Sequence, residues 1–358
     1  MADLGEASLV ERPAARAAGA GSPVRIGDVA RAAEVSTATV SRALRGLPHV
    51  ASATRQRVLA VAAELDYRPN LPAARLAAGT TNTIAVAVPD PAAWFNATMV
   101  GALGREMTAA GYDLLLSGVA NLDERQRFIE LNGVRSGRSD AVVLIDVALD
   151  EAAADAFVAQ GGRAVSVGFR TKALSSVTVD NVTVGSDATG ILLRHGHRRI
   201  GLLSLDSGDS LNFSIPTHRA QGYARAHAEA GLTPDPALRV STSNSWAEAR
   251  RAAHALLDSA ERPTAIFAMC DEQAFGVMLA ARDLELRIGD DLSIVGVDDH
   301  DQSRLVGLTT VRQHVARQGA VAAELLLQML QPSVEPPEHV QLDTELIIRD
   351  SVGPPSGD

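Results

Sequence analysis

The chain has 358 residues, 46% hydrophobic and 21% charged, a balance that supports a packed core and excludes wholesale disorder. Its single cysteine, Cys270, excludes an internal disulfide framework and a cysteine-rich zinc module, and no apolar run reaches the roughly eighteen residues of a membrane helix. The formal net charge of −10 hides an asymmetry: residues 24–80 carry eight arginines against four acids, residues 81–358 carry 23 basic against 36 acidic side chains. A basic head on an acidic body suggests a segment built for a polyanion.

Residues 1–22 are rich in Ala, Gly and Arg without hydrophobic periodicity and read as a disordered extension. Acids and arginines stand where an export signal would place its apolar run, so the expectation is a cytoplasmic protein without a membrane partner. Patterning begins at Val24. Ile26, Val29, Ala30 and Ala33 share one helical face over 26–33. Ser36 is placed to cap a second helix over 37–45, with Val40 and Leu44 on its apolar side, and a third follows over 52–65. A short fourth, 71–78, is capped by Asn70 and stopped by Gly79.

From Thr83 the rhythm changes. Apolar runs at 84–88, 113–116, 141–145, 164–168, 200–205, 265–269 and 292–297 alternate with helical stretches such as 99–110, 184–195, 218–230, 247–260 and 272–284. This predicts parallel sheets covered by helices, in two α/β lobes that meet near Asp180-Asn181, with a cleft between them for a small molecule.

Two short helices around a tight turn at 33–35 form a helix-turn-helix, whose second helix enters the major groove. Thr37, Ala38 and Ser41 are small or polar enough for close approach, and Arg42 can fork onto guanine. Ser36, Thr54 and Arg55 suit phosphates. An ordinary three-helix bundle with a solvated arginine face is the bland alternative.

The run IGDVARAAEVSTATVSRALRG, followed by HV, TRQRV and LDYRPN, closely resembles the head of the LacI/GalR family of bacterial transcription regulators. The resemblance implies a hinge helix over residues 71–79 that inserts a leucine, here Leu76, into the minor groove; His49 and Asn70 complete the DNA-contacting set. Arg45 stands where the family often has Asn and adds a possible phosphate contact. Ala51 replaces a commonly capping Ser, a role that passes to Ser52. Further matches (VPD at 88–90, VDN at 179–181, HGHRRIGLL at 195–203, RAQGY at 219–223, LSIVGVDD at 292–299) cover nearly the whole chain and imply a core similar in fold to periplasmic sugar-binding proteins.

The implied organisation is an extension (1–22), a DNA-binding domain (23–69), a hinge helix and linker (70–82), a two-lobed effector-binding and dimerisation core (83–350) and a flexible tail (351–358). Arg219, Asp298, Asp180, Trp246 and Phe95 are the implied effector contacts. Cys270 stands where the family often has an asparagine, and the first-lobe loop departs from the usual DIANPFF. The function expected is a homodimeric transcriptional regulator, a repressor, that binds double-stranded operator DNA under control of a carbohydrate effector. A solute-binding or sugar-converting protein on the same fold is the alternative. No GxGxxG, phosphate loop or GxSxG elbow occurs, and His195 and His197 lack metal-ligand spacing, so no catalytic residue, metal or cofactor is expected.

Overall fold

The first three helices form almost where their caps place them. In the computed structural model, which describes residues 24–68, 80–133, 136–205, 214–331 and 336–356, they are α1 (Ile26–Ala32), α2 (Thr37–Leu44) and α3 (Ser52–Glu64). The N-terminal extension, Asn70, Leu76 and the expected hinge helix lie outside the described residues. Asp28 reaches back to the Arg25 amide at 2.9 Å to start α1, and Ser36 accepts from the Thr39 amide at 3.1 Å to start α2. Glu34, at φ +55°, makes the tight turn between them. α3 differs from expectation: its cap position is Ala51, no side chain caps it, and Ser52 is already its first helical residue. Val29, Ala33, Val40, Ala43, Val58 and Ala62 close a small core among the three helices.

The chain divides between residues 79 and 80, and the rest is a second unit. Its first sheet has the order β11-β5-β4-β3-β1-β2, from β1 (Thr83–Val88), β2 (Asp113–Gly118), β3 (Ala141–Ile145), β4 (Ala164–Val167), β5 (Ser175–Val179) and β11 (His339–Leu342). The second has the order β12-β10-β9-β8-β6-β7, from β6 (Ile200–Leu205), β7 (Arg239–Thr242), β8 (Ala265–Ala268), β9 (Ser293–Asp298), β10 (Thr309–Arg312) and β12 (Glu345–Ile347). Every pairing is parallel except that of β12 with β10. Central strands such as β3 are buried along their whole length, which is why they read in sequence as unbroken apolar runs.

The helices that matter for the site are α4 (Trp94–Ala109) and α5 (Leu122–Asn132), then α6 (Glu151–Ala159), α7 (Asn181–Arg194), α8 (Ile215–Glu229), α9 (Trp246–Leu257), α10 (Asp271–Asp283) and α11 (Val315–Met329). α4 starts five residues before the predicted 99–110, because Phe95, Met99, Leu103 and Met107 recur every four residues and seat one face on the first-lobe core. The chain leaves the first lobe between β5 and α7, at Asp180-Asn181 as predicted. It then returns through α11 and β11 before ending in the second lobe, so the lobes are not consecutive in sequence.

The expected flexible tail is docked at its start. Ser351 is buried, donates to the Ile294 carbonyl at 2.6 Å and accepts from the Thr309 amide at 2.8 Å; the Gly353 amide donates to Ser293 Oγ at 3.0 Å. These bonds occupy backbone and hydroxyl groups that would otherwise be buried without partners. At the other end, Asp140 receives the amides of Thr81 and Asn82, both at 2.7 Å, and ties the last linker residues to the core.

Candidate functional site

On the head, α2 turns Val40 and Ala43 inward and leaves Thr37, Ala38 and Arg42 exposed, with Ser41 half-buried beside them. A groove-entering helix needs that distribution: small side chains at its start and a donor fork one turn on. Ser36 is exposed but its oxygen is already engaged as the cap. Arg45 is exposed, its Nε donating to the Ser41 carbonyl at 3.3 Å, and His49 is exposed at φ +68°. Thr54 is half-buried. Arg55, expected on phosphate, donates instead to the carbonyls of Gly46 at 3.1 Å and Leu47 at 2.5 Å; it staples the loop that follows α2.

In the core, strand ends of both lobes converge on a buried, acid-rich cluster. Arg219, on α8, is 4% exposed; its Nε donates to Asn181 Oδ1 at 2.9 Å and its Nη1 to the Met269 carbonyl. Burial presses its pKa down, against the charges of Asp298, Cys270, Asp146 and Asp271, which hold it up. Asp298 ends β9 at φ +121°, a backbone region that favours glycine, and accepts from Gln313 Nε2. Its carboxyl is pushed well up by burial, with Arg219 opposing.

Asp146 follows β3 at φ +53°, is buried, and its Oδ1 has no hydrogen-bond partner. Burial raises its pKa to about 7, with the Arg219 charge opposing. Gly168, at the end of β4, makes room for it: a Cβ there would lie 1.9 Å from Asp146 Oδ1. Asp271, the first residue of α10, is a different case. It accepts from Ser303 Oγ at 2.6 Å, Thr310 Oγ1 at 2.7 Å and the His300 amide at 2.8 Å, and so anchors the loop after β9. Cys270 is buried, its thiol donating to Asn244 Oδ1 at 2.7 Å; burial pushes its pKa up.

Three of the expected effector contacts stand outside the hydrogen bonds of the Arg219 cluster. Asp180 is exposed and spends its carboxylate on the start of α7, accepting from the Val182 and Thr183 amides at 3.0 Å and from Thr183 Oγ1 at 2.8 Å. Its neighbour Asn181 is the residue that meets Arg219. Trp246, 54% exposed, starts α9 and lines an outer groove with Phe275, Met278 and Leu279. Phe95 packs on the first-lobe core. Asp146 and Asn181 escaped the sequence reading. The available signal for Asp146 was its place at the carboxyl end of an apolar strand, where ligands of open α/β sheets bind. His197 is a structural histidine, bonded to Thr264 Oγ1 and Ser293 Oγ at 2.9 Å each, and no cluster of metal-ligating side chains occurs among the described residues.

Comparison with known proteins now bears on both units. Residues 25–70 match the bacterial regulatory proteins of the lacI family, and residues 189–352 match the periplasmic binding protein-like domain. Catabolite control protein A of Priestia megaterium is 32% identical over 92% of this chain and 99% of its own. The chain belongs to the lacI family of bacterial regulatory proteins. The HTH-type transcriptional repressor CytR of Escherichia coli (strain K12) is 32% identical over 90% of this chain and 95% of its own. Among solved structures, the lac repressor dimer bound to operator and the anti-inducer ONPF covers 92% of this chain and 99% of its own at 26% identity, with a TM-score of 0.80. A transcriptional regulator CelR–cellobiose complex has the same coverage at 27% identity and a TM-score of 0.67. This family member is a DNA-binding transcriptional regulator with a helix-turn-helix head and a two-lobed α/β core. None of its described helices is long and apolar enough to cross a membrane.

Proposed function

We propose that this regulator is a cytoplasmic homodimeric repressor that reads a pseudo-palindromic operator through α2 and responds to a carbohydrate held between its lobes. The observation that carries the effector reading is the buried Arg219, near enough to Asp298 and Asp146 for their charges to bear on it, with Asp146 Oδ1 left without a hydrogen-bond partner. A fixed guanidinium beside acceptors suits vicinal hydroxyls, which both donate and accept. Asn181 and Gln313 hold Arg219 and Asp298 in place. The cellobiose complex among the structural neighbours supports the class.

For the DNA, Thr37, Ala38, Ser41 and Arg42 meet base edges, while Arg45, His49 and Thr54 lie towards the phosphates. Pairing uses the apolar outer face of α9 and α10, a groove of about 620 Å³ lined by Trp246, Phe275, Met278, Leu279 and Val306 and continued by Leu305, which is 82% exposed.

The test is selection of random duplex DNA by the full-length protein at fixed salt, with the bound pool sequenced. A palindromic motif is expected; binding without a motif, falling steeply with salt, would reduce the head to polyanion attraction. Arg42→Ala is expected to relax preference at one base pair of each half-site by about 1–3 kcal/mol. A thermal-shift panel of mono- and disaccharides with nucleosides then tests the effector class, a carbohydrate being expected to raise the melting temperature of the parent and not of Arg219→Ala.

A further inference from the structure

α4 begins without a cap of its own. Its cap position is Ala93, which has no side chain to offer, and its first turn holds no acid. The first amides of a helix must find acceptors elsewhere. Here the nearest acid comes from the other lobe: Glu272, in the first turn of α10, feels the main-chain N–H of Trp94, which opposes the upward push of burial on its carboxyl, and Asn244 Nδ2 donates to the same carboxylate at 2.6 Å. A negative charge at that helix end is also favoured by the macrodipole.

The Trp94 side chain repeats the crossing. Its ring lies over His300 with centroids 4.6 Å apart at 33°, and its indole N–H donates to Asp301 Oδ2 at 3.3 Å. Both partners sit in the loop after β9, in the second lobe. That loop is not loose, because Asp271 holds the His300 amide and the Ser303 hydroxyl. His300 is braced from behind by Phe275, edge-on at 5.2 Å and 90°. Phe275 also lines the outer groove of α9 and α10. In the first sheet, β1 (which leads into Trp94) lies three strands from β5, where the chain leaves for the second lobe. The tie therefore acts roughly 14 Å from that crossing strand, where a small force holds a hinge well.

We propose that Trp94 is a latch residue that fastens the first lobe to the second, with His300 and Asp301 as its catch. Every contact is made by the chain's own groups, so the latch holds the lobes together without help from a ligand. This goes beyond the proposed function; only its consequence, that an effector entering the cleft competes with the latch, rests on reading the cleft as the effector site. His300 touches both the other lobe and a side chain of the outer groove, so release of Trp94 changes the support of Phe275 as well.

The Trp94 amide is the reporter, because it opens α4 next to the ring that crosses the lobes and stands near Glu272 of the second lobe. Hydrogen exchange is measured residue by residue on the full-length protein with no small molecule added. The parent is expected to protect the Trp94 amide. His300→Ala removes the stack and lowers the closed-to-open ratio about two- to tenfold, so that amide exchanges faster by the same factor. The amide of Val86, inside β1, is the control for an intact fold and stays unchanged. Asp301→Asn, at an exposed position, provides a variant that leaves the core untouched and accelerates the same amide more weakly. Exchange of the parent's Trp94 amide at the rate of an unstructured peptide would overturn the latch, and so would equal rates in the parent and both variants. Neither result bears on the operator selection, which depends on α2.

Discussion

The head and the core keep their chemistry in opposite places. In the head the groups proposed to face DNA stand on the surface of α2 and its neighbours, while Val40, Ala43, Val58 and Ala62 beneath them do the folding. Exposed side chains of this kind cost the fold little, so their identity is set by what they read. In the core the groups proposed to face ligand are themselves buried: Arg219, Asp146 and Asp298, beside the structural Asp271, in a site where burial opposes charge. A fold retains such groups at a loss of stability. On the proposed reading, a DNA contact in this molecule is sought among exposed side chains and an effector contact among buried charged ones.

The sharpest way to break that division is to separate the buried acids from one another. Asp271 satisfies three donors, so Asp271→Ala is expected to destabilise the core by about 3–5 kcal/mol in a denaturant melt, because the Ser303, Thr310 and His300 donors lose their acceptor. A variant that folded normally and lost only effector binding would move Asp271 into the ligand set.

Asp146 is expected to do the reverse. Its carboxyl is raised in the fold to about 7 from an ordinary 3.8, so the folded state binds the proton more tightly than the unfolded chain. Its burial therefore costs nothing extra below about pH 4, costs progressively more between pH 4 and 7, and reaches a constant penalty above. Asp146→Asn, which tolerates the positive φ, is expected to stabilise the core by about 2–4 kcal/mol at pH 8 and by nearly nothing at pH 4. Parallel stability curves for parent and variant across that range would mean that Asp146 is not a buried, strained acid.

The same contrast explains what the sequence disclosed. The helix-turn-helix is contiguous: Ser36, the turn at Glu34 and the apolar spacing of α1 and α2 lie within a few residues of one another, so local rules reach them. The fully buried strands were legible because a parallel strand covered on both faces is apolar throughout. The core site is assembled from the ends of strands far apart in the chain, and there local rules reach less far. Asp180 and Asn181 are adjacent, and only the start of α7 decides that the first caps the helix while the second turns to Arg219. Trp246 was implied by resemblance alone, which does not give the direction of a side chain, and at the start of α9 it is 54% exposed. Asp146 had no partner in sequence to flag it; its counterpart, Arg219, stands on a helix of the other lobe.

Even inside the head the local rules were misapplied once, and the correction gives the smallest effect. The start of α3 has Ala51 at the cap position, so the Thr54 amide, third in the helix, has no side-chain acceptor before it. Ser52 cannot supply one, because it already has helical geometry and its hydroxyl lies one residue too late. Ala51 has φ −57° and ψ 142°, close to the extended geometry that a capping serine adopts, so Ala51→Ser needs no backbone change. It is expected to stabilise α3 by about 1 kcal/mol, read as roughly fivefold slower exchange of the Thr54 amide. Amides of β1, in the other unit, should not respond. A slowing shared by both units would show that the substitution acts on something other than this cap. No slowing at all would mean that the start of α3 is already satisfied in solution, and that Arg55, clamped on Gly46 and Leu47, holds the helix entry without a cap.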